Sequence, residues 1–196
     1  MKEKDDIKYK FEDLYGEIKQ LDKLLSDCYL LDELIHSASE AFPNFADDCK
    51  QRIRRLQRHL KYLMNDIDGL RFTSKERLYN NENSVKEEEY SKQASSMMTT
   101  SHALGAEGDV MLRTLETAST GIDPRGKPLN QAVQNAASKA TDWVKNTLMP
   151  LIKSIAAQVW QVISSLLTPK EWKIKGSVGT PLLGLANVEL EITFGK

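Results

Sequence analysis

A chain of 196 residues with a formal net charge of -1 is long enough for one sizeable core or for a helical domain with a small appendage, and two full domains would be a squeeze. Hydrophobic residues at 40% and charged residues at 28% exclude a disordered chain, and the near-neutral balance gives no global reason to expect a polyanionic partner. Aromatics at 7% leave Leu, Ile, Val and Ala to fill the core, the residues that helices pack well.

The amino terminus, Met1-Lys2-Glu3-Lys4-Asp5-Asp6, is charged and carries no continuous apolar stretch, so a secretory signal is not expected and a cytoplasmic location is. Ile7, Phe11, Leu14, Ile18, Leu21, Leu25 and Cys28 then recur in steps of four and three. That rhythm averages about 3.5 residues and keeps one narrow stripe facing a partner helix. It predicts a first helix from about Asp5 to Ser39. Beyond Leu21 the residues Leu24, Leu30, Leu31, Leu34 and Ile35 widen the face, which calls for several helices around it.

Pro43 allows a tight connection, and Asn44 or Asp47 can cap a second helix reaching about Arg71. Its stripe is Cys49, Ile53, Leu56, Leu60, Leu63, Ile67 and Leu70, so residues 5–39 and 44–71 form a coiled-coil hairpin. Antiparallel pairing sets Cys28 and Cys49 opposite different residues, and both read as small buried hydrophobes rather than a disulfide.

The second helix also carries a basic stripe. Lys50, Arg52, Arg54, Arg55, Arg58 and Lys61 crowd into little more than three turns, and Arg54, Arg55, Arg58 and Lys61 point away from the seam. Three counter-charges are available: Glu87-Glu88-Glu89 of the same chain, an acidic protein partner, or an anionic surface such as lipid headgroups or nucleic acid. No stacking aromatics interleave the cations, which makes nucleic acid the weakest of these.

After Phe72 the pattern decays. Thr73 or Ser74 can cap a helix starting at Lys75, Asn80-Asn81-Glu82-Asn83 reads as a break, and residues 85–104 are polar enough to lie on the surface or to order only against a partner. A shorter helix is expected from about Glu107 to Ser119. Residues 75–119 thus read as polar helices, followed by a plain loop from Thr120 to Pro128.

The next helix starts near Leu129 with Val133, Ala137, Ala140 and Val144 inward and Trp143 at the edge. Pro150 implies a kink or a restart. Leu148, Ile152, Ile155, Val159, Val162 and Leu166 then make a third run, with Trp160 beside it, ending an apolar-striped region at about 129–168. Residues 148–168 approach the length of a membrane span and carry one charge, Lys153, but Ser154, Gln158, Gln161, Ser164 and Ser165 make the segment amphipathic, which favours a bundle core over a lipid interior.

From Trp172 the period becomes two. Trp172, Ile174 and Val178, then Val188, Leu190, Ile192 and Phe194, predict a short antiparallel β-hairpin over 169–196, with Ile174 near Leu190 or Ile192 and its apolar face packed on the preceding helix. The text of residues 173–190 resembles the opening strands of carboxypeptidase-regulatory-type β-sandwich repeats, a likeness from which no function is carried over.

His36, His59 and His102 are scattered, and neither a metal-ligand spacing nor a phosphate-binding glycine loop exists, so no catalytic, metal or cofactor site and no small-molecule substrate is identified. The expected fold is mainly α, a coiled-coil hairpin within a helix bundle with the β-hairpin appended. The expected function is non-enzymatic: an interaction or scaffold protein that self-associates or binds a helical partner through its heptad stripes, with Lys50, Arg54, Arg55, Arg58 and Lys61 as a second candidate surface. The alternative is a membrane-active protein of the pore-forming or effector type that places Leu148, Ile152, Ile155, Val159, Trp160, Val162 and Leu166 on an anionic membrane. A weaker alternative is nucleic-acid binding through residues 50–61.

Overall fold

Each of the three heptad runs lies on a helix, and a fourth helix without such a run closes the bundle. The computed structural model describes the backbone of residues 2–79, 85–166, 173–175 and 189–191, and the side chains of residues 9–72 and 92–165. The helices are α1 (Lys2–Ser26), α2 (Tyr29–Ser39), α3 (Pro43–Tyr79), α4 (Val85–Ser119), α5 (Gln131–Trp143) and α6 (Met149–Leu166). A π-helical segment, Val144–Leu148, joins α5 to α6 without interruption.

These pieces make four rods. α3 packs between α1–α2 and α4, and α5–α6 packs between α4 and α1–α2. Because α1 lies on α6 and α2 on α5, the first and last rods run antiparallel, as do the others, which is up-down-up-down bundle topology. The stripes meet in the middle: Leu14, Ile18 and Leu21 of α1, Leu31 and Leu34 of α2, Leu56, Leu60, Leu63, Ile67 and Leu70 of α3, and Val133, Ala137, Ala140, Ile155 and Val159 of the last rod are all buried. Each buried Leu or Ile contributes about 1.5–3 kcal/mol relative to exposure.

Several expectations are corrected. The helix foreseen over 5–39 breaks at Asp27 and Cys28, where Cys28 is extended (φ -80°, ψ 91°) and its carbonyl accepts from Leu31 and Asp32 N–H at 3.1 and 3.2 Å to start α2. Ser26, Asp27 and Cys28 are weak helix formers, and the Ser26 hydroxyl donates to the Asp22 carbonyl. Cys28 nevertheless stays buried, so the seam passes through the break. At the next turn neither Asn44 nor Asp47 caps α3. Pro43 occupies its first turn, where a missing N–H costs nothing, and Phe42 supplies the carbonyl for Phe45 and Ala46.

α3 continues through Thr73 and Ser74 to Tyr79, and α4 is one helix rather than a polar segment followed by a short one. The break foreseen at Asn80–Asn83 lies outside the described residues. α4 buries Ala94, Met97, Ser101, Leu104, Met111, Leu115 and Ala118, a face with too few large hydrophobes to read as a stripe. It compensates by close approach: a methyl added at Gly108 would lie 2.8 Å from Ile152 Cδ1 and 3.0 Å from Met149 Sδ.

The loop from 120 to 130 is a built structure. Asp123, which is buried, accepts from Arg125 and Lys127 N–H at 2.9 and 2.7 Å, Gly121 and Gly126 take positive φ, and the Asn130 side chain caps α5 by accepting from Val133 N–H at 3.0 Å. Pro150 neither breaks nor restarts the helix. The Met149 N–H reaches back to the Val144 carbonyl, and this wider turn precedes the proline, whose ring would otherwise press on the carbonyl four residues earlier.

The fold class is also corrected, to a helical bundle without a C-terminal β-hairpin layer, since helix accounts for 88% of the described residues. Among the described residues of the C-terminal segment, antiparallel pairing covers three residues a side, Lys173 opposite Glu191, Ile174 opposite Leu190 and Lys175 opposite Glu189. A two-stranded ribbon of that length buries too little to act as a structural layer. Trp172, Val178, Val188, Ile192 and Phe194, on which the longer hairpin rested, lie outside the described residues.

Candidate interaction face

The helical period that turns Leu56, Leu60 and Leu63 of α3 inward turns Arg54, Arg58 and Lys61 outward, at positions i, i+4 and i+7. Their basic neighbours are neutralised within the chain. Lys50 Nζ lies 3.6 Å from Asp47, while Arg52 and Arg55 reach the two carboxylate oxygens of the largely buried Glu107 at 3.3 and 3.9 Å. Glu107 takes the role foreseen for Glu87-Glu88-Glu89, which sit about 28 Å further along α4 at a helical rise of about 1.5 Å per residue. Arg54, Arg58 and Lys61 are exposed and have no ion pair among the described residues. Tyr62, 51% exposed, and Phe72, 65% exposed, flank them on the same helix.

The membrane candidates are placed differently. Leu148, Ile152, Ile155, Val159 and Val162 are buried in the bundle, Trp160 is partly exposed on its flank, and the Leu166 side chain lies outside the described residues. Contact between this stripe and lipid therefore requires α6 to leave the bundle. Among the described residues no helix is long and apolar enough to cross a membrane.

The neighbouring rod carries exposed charge of both signs, with Lys23 among carboxylates. Asp27, Asp32 and Glu40 are exposed around the α1–α2 break, Asp22 is half-buried next to them, and Tyr29 projects between them at 72% exposure. None of these carboxylates has an ion pair among the described residues, whereas Glu33 holds Lys139 at 2.9 Å and Asp48 holds Arg125 at 3.4 Å. Charge is segregated along this part of the sequence. Residues 24–49 contain six carboxylates and no Lys or Arg, and residues 50–61 contain six cations and no carboxylate.

The described residues offer little else for chemistry. Cys28 and Cys49 are free and buried, and burial raises both thiols, Cys49 to about 12. No group of His, Cys, Asp and Glu among the described residues is arranged to hold a metal. Between α1 and α6 a polar cleft of about 100 Å³ is lined by Lys10, Asp13, Gln158 and Gln161, below the size of an ordinary ligand pocket. Next to it Ser154 donates to Glu17 at 3.1 Å, while Glu17 Oε2 and Gln158 Oε1 are buried without protein partners. No family model matches the chain, and no curated protein or solved structure matches it.

Proposed function

We propose that the chain is a non-enzymatic helical interaction protein, acting in the cytoplasm, whose contact surface is the outer face of α3 around Arg54, Arg58 and Lys61. The observation that carries this reading is selective neutralisation: Lys50, Arg52 and Arg55 each meet a carboxylate of the same chain, and the three cations between and beyond them do not. Exposed, uncompensated charge of one sign steers and orients a partner of the other. Among the described residues the heptad stripes, the surfaces first expected to bind, face one another inside the bundle.

A photo-crosslinking residue placed at Arg58 should give a covalent adduct with one defined polypeptide, and Arg54→Gln with Lys61→Gln should suppress it while leaving the thermal melt unchanged. Absence of any adduct in cells that make the protein would remove the reading. The membrane-active alternative makes the opposite demand, that intact protein cosediments with anionic vesicles and that Val159→Asp abolishes this.

A further inference from the structure

We propose that the occupant of the basic face is a short acidic segment of a different polypeptide, held in the outer groove between α1 and α3. The proposal rests on the reading of α3 as a contact surface; it adds the second wall of the site and the chemistry of the partner. Two contacts fix the register across this groove. Gln57 Nε2 donates to Ser26 Oγ at 3.0 Å, and Arg71 Nη2 lies 3.8 Å from Glu12 Oε1; in both pairs the residue numbers add to 83. Lys19 is seven residues from each of Glu12 and Ser26, so it lines the same side of α1, and Arg54 and Lys61 neighbour Gln57 at i-3 and i+4 on α3. Lys23 and Arg58, one turn further round, stand on the two rims.

By that register Lys23 is level with Leu60 and Lys19 with Met64, so the cations of both helices fall between the levels of Arg54 and Met64, about 15 Å of axis at about 1.5 Å per residue. All five side chains are exposed, and none has an ion pair among the described residues. Lys19 lies over the Tyr15 ring, 4.6 Å from its centroid, a contact that leaves its charge uncompensated. Half-buried Asp22 is the carboxylate set among them. Asp27 falls elsewhere: it is fourteen residues after Asp13, which lines the cleft with Gln158 and Gln161, and so lies on the side of α1 that meets α6. The groove therefore sets five cations against one carboxylate, a formal excess of four.

Carboxylates bound this stretch at both ends. Asp68 continues the line of Arg54 and Lys61 seven residues on, and Asp32 is exposed beyond the level of Arg54. An extended anionic surface, a membrane or a nucleic-acid duplex, runs past the cations onto these carboxylates and is repelled there, whereas a segment whose negative charge spans about 15 Å meets the cations alone. Partly buried Met64 and Tyr15 give the groove apolar contact beside its charged rims, the combination that polypeptide interfaces use. Glu87-Glu88-Glu89 of the same chain do not supply the acidic segment, because they belong to α4, which meets α3 on the side of Arg52 and Asp66, away from the groove. A contact about three turns long is at the small end for specific complexes, so binding is weak and salt-sensitive, with charge setting its place.

The test is a fluorescence-anisotropy titration of labelled hexaglutamate with the full chain, beside cosedimentation with phosphatidylserine vesicles and a gel-shift titration of duplex DNA. The peptide should bind in low salt and be released as salt is raised. Lys23→Glu on α1 and Arg58→Glu on α3 should each weaken it about tenfold or more, while Arg113→Glu, the same charge change on the exposed side of α4, should leave it within about twofold of the parent. All three side chains are exposed, and unchanged melts show that the variants fold. Absence of peptide binding in low salt overturns the proposal. Equal losses at Lys23, Arg58 and Arg113 do so as well, since net charge alone would then attract the peptide, and so does tighter binding of vesicles or DNA through the same residues. A parent whose own dimerisation in low salt depends on Lys23 overturns it in favour of a second copy. If the crosslinker at Arg58 captures a polypeptide that Lys23→Glu does not release, the reading of α3 stands and only the groove and its acidic occupant fall.

Discussion

The two halves of the bundle are built on different principles. The α1–α3 side is filled by volume: Leu14, Leu21, Leu56, Leu60, Leu63 and Leu70 interlock at regular spacing. The α4–α6 side is filled by proximity, with Ala94, Ser101, Gly108, Ala137 and Ala140 letting backbones approach until methionines and isoleucines fill what remains. Both give a closed core, but they fail differently. A leucine seam is sensitive to losing atoms or gaining charge, and a small-residue seam is sensitive to gaining atoms.

The largest effect should come from Leu60→Asp or Leu21→Asp, which buries an unpaired charge in the leucine seam. A loss of about 4 kcal/mol or more is expected by chemical denaturation, with loss of helical content. A variant melting like the parent would contradict the packing at that position. On the other side, Gly108→Leu should cost about 1–3 kcal/mol by overpacking against Met149 and Ile152. Gly108→Ala should stay within about 1 kcal/mol of the parent, because the atoms it meets are the movable ends of side chains and alanine favours the helix. If Gly108→Leu were neutral, close approach would not be what holds α4.

The loop joining the α4 and α5 rods is a third regime, held by polar contacts. Asp123→Ala leaves the Arg125 and Lys127 N–H groups without their acceptor and should cost about 1–3 kcal/mol. Asp123→Asn, which keeps an acceptor oxygen, should recover part of that in the same melts. The smallest effect at neutral pH concerns the cysteines. The thiolate is the reactive form and burial raises both thiols, so neither should be alkylated near pH 8 at the rate seen in denaturant. The sign for stability follows: above about pH 9 the unfolded chain releases the Cys49 proton while the folded chain holds it to about 12, so stability declines with rising pH across that interval. Cys49→Ala should flatten the decline.

This contrast also explains what could be read in advance. The leucine seam is legible because its signal is local, one large apolar residue every three or four positions. α4 is not, because Ser101, Gly105 and Gly108 are buried by their smallness, a property that polar surface residues share in sequence. The break at Cys28 is hidden for the opposite reason: the seam continues through it, so periodicity does not falter where the backbone does. At the candidate site the residues of the basic stripe are visible, but the choice of Glu107 over Glu87-Glu88-Glu89 depends on how α3 and α4 slide past each other, and no local pattern fixes that.

The π-helical segment before Pro150 bears on how this protein can change its length. Along the last rod the inward positions Ala137, Ala140, Val144, Leu148, Ile152, Ile155 and Val159 step by three, four, four, four, three and four. The surplus step is absorbed by the wide turn from Val144 to Leu148, which holds one residue more than an α-helical turn. Omitting Asn146 would return the series to alternating fours and threes and leave every inward residue facing the core. The segment thus acts as a storage place for a single amino acid, a point where the rod can gain or lose one codon without turning its buried face to water.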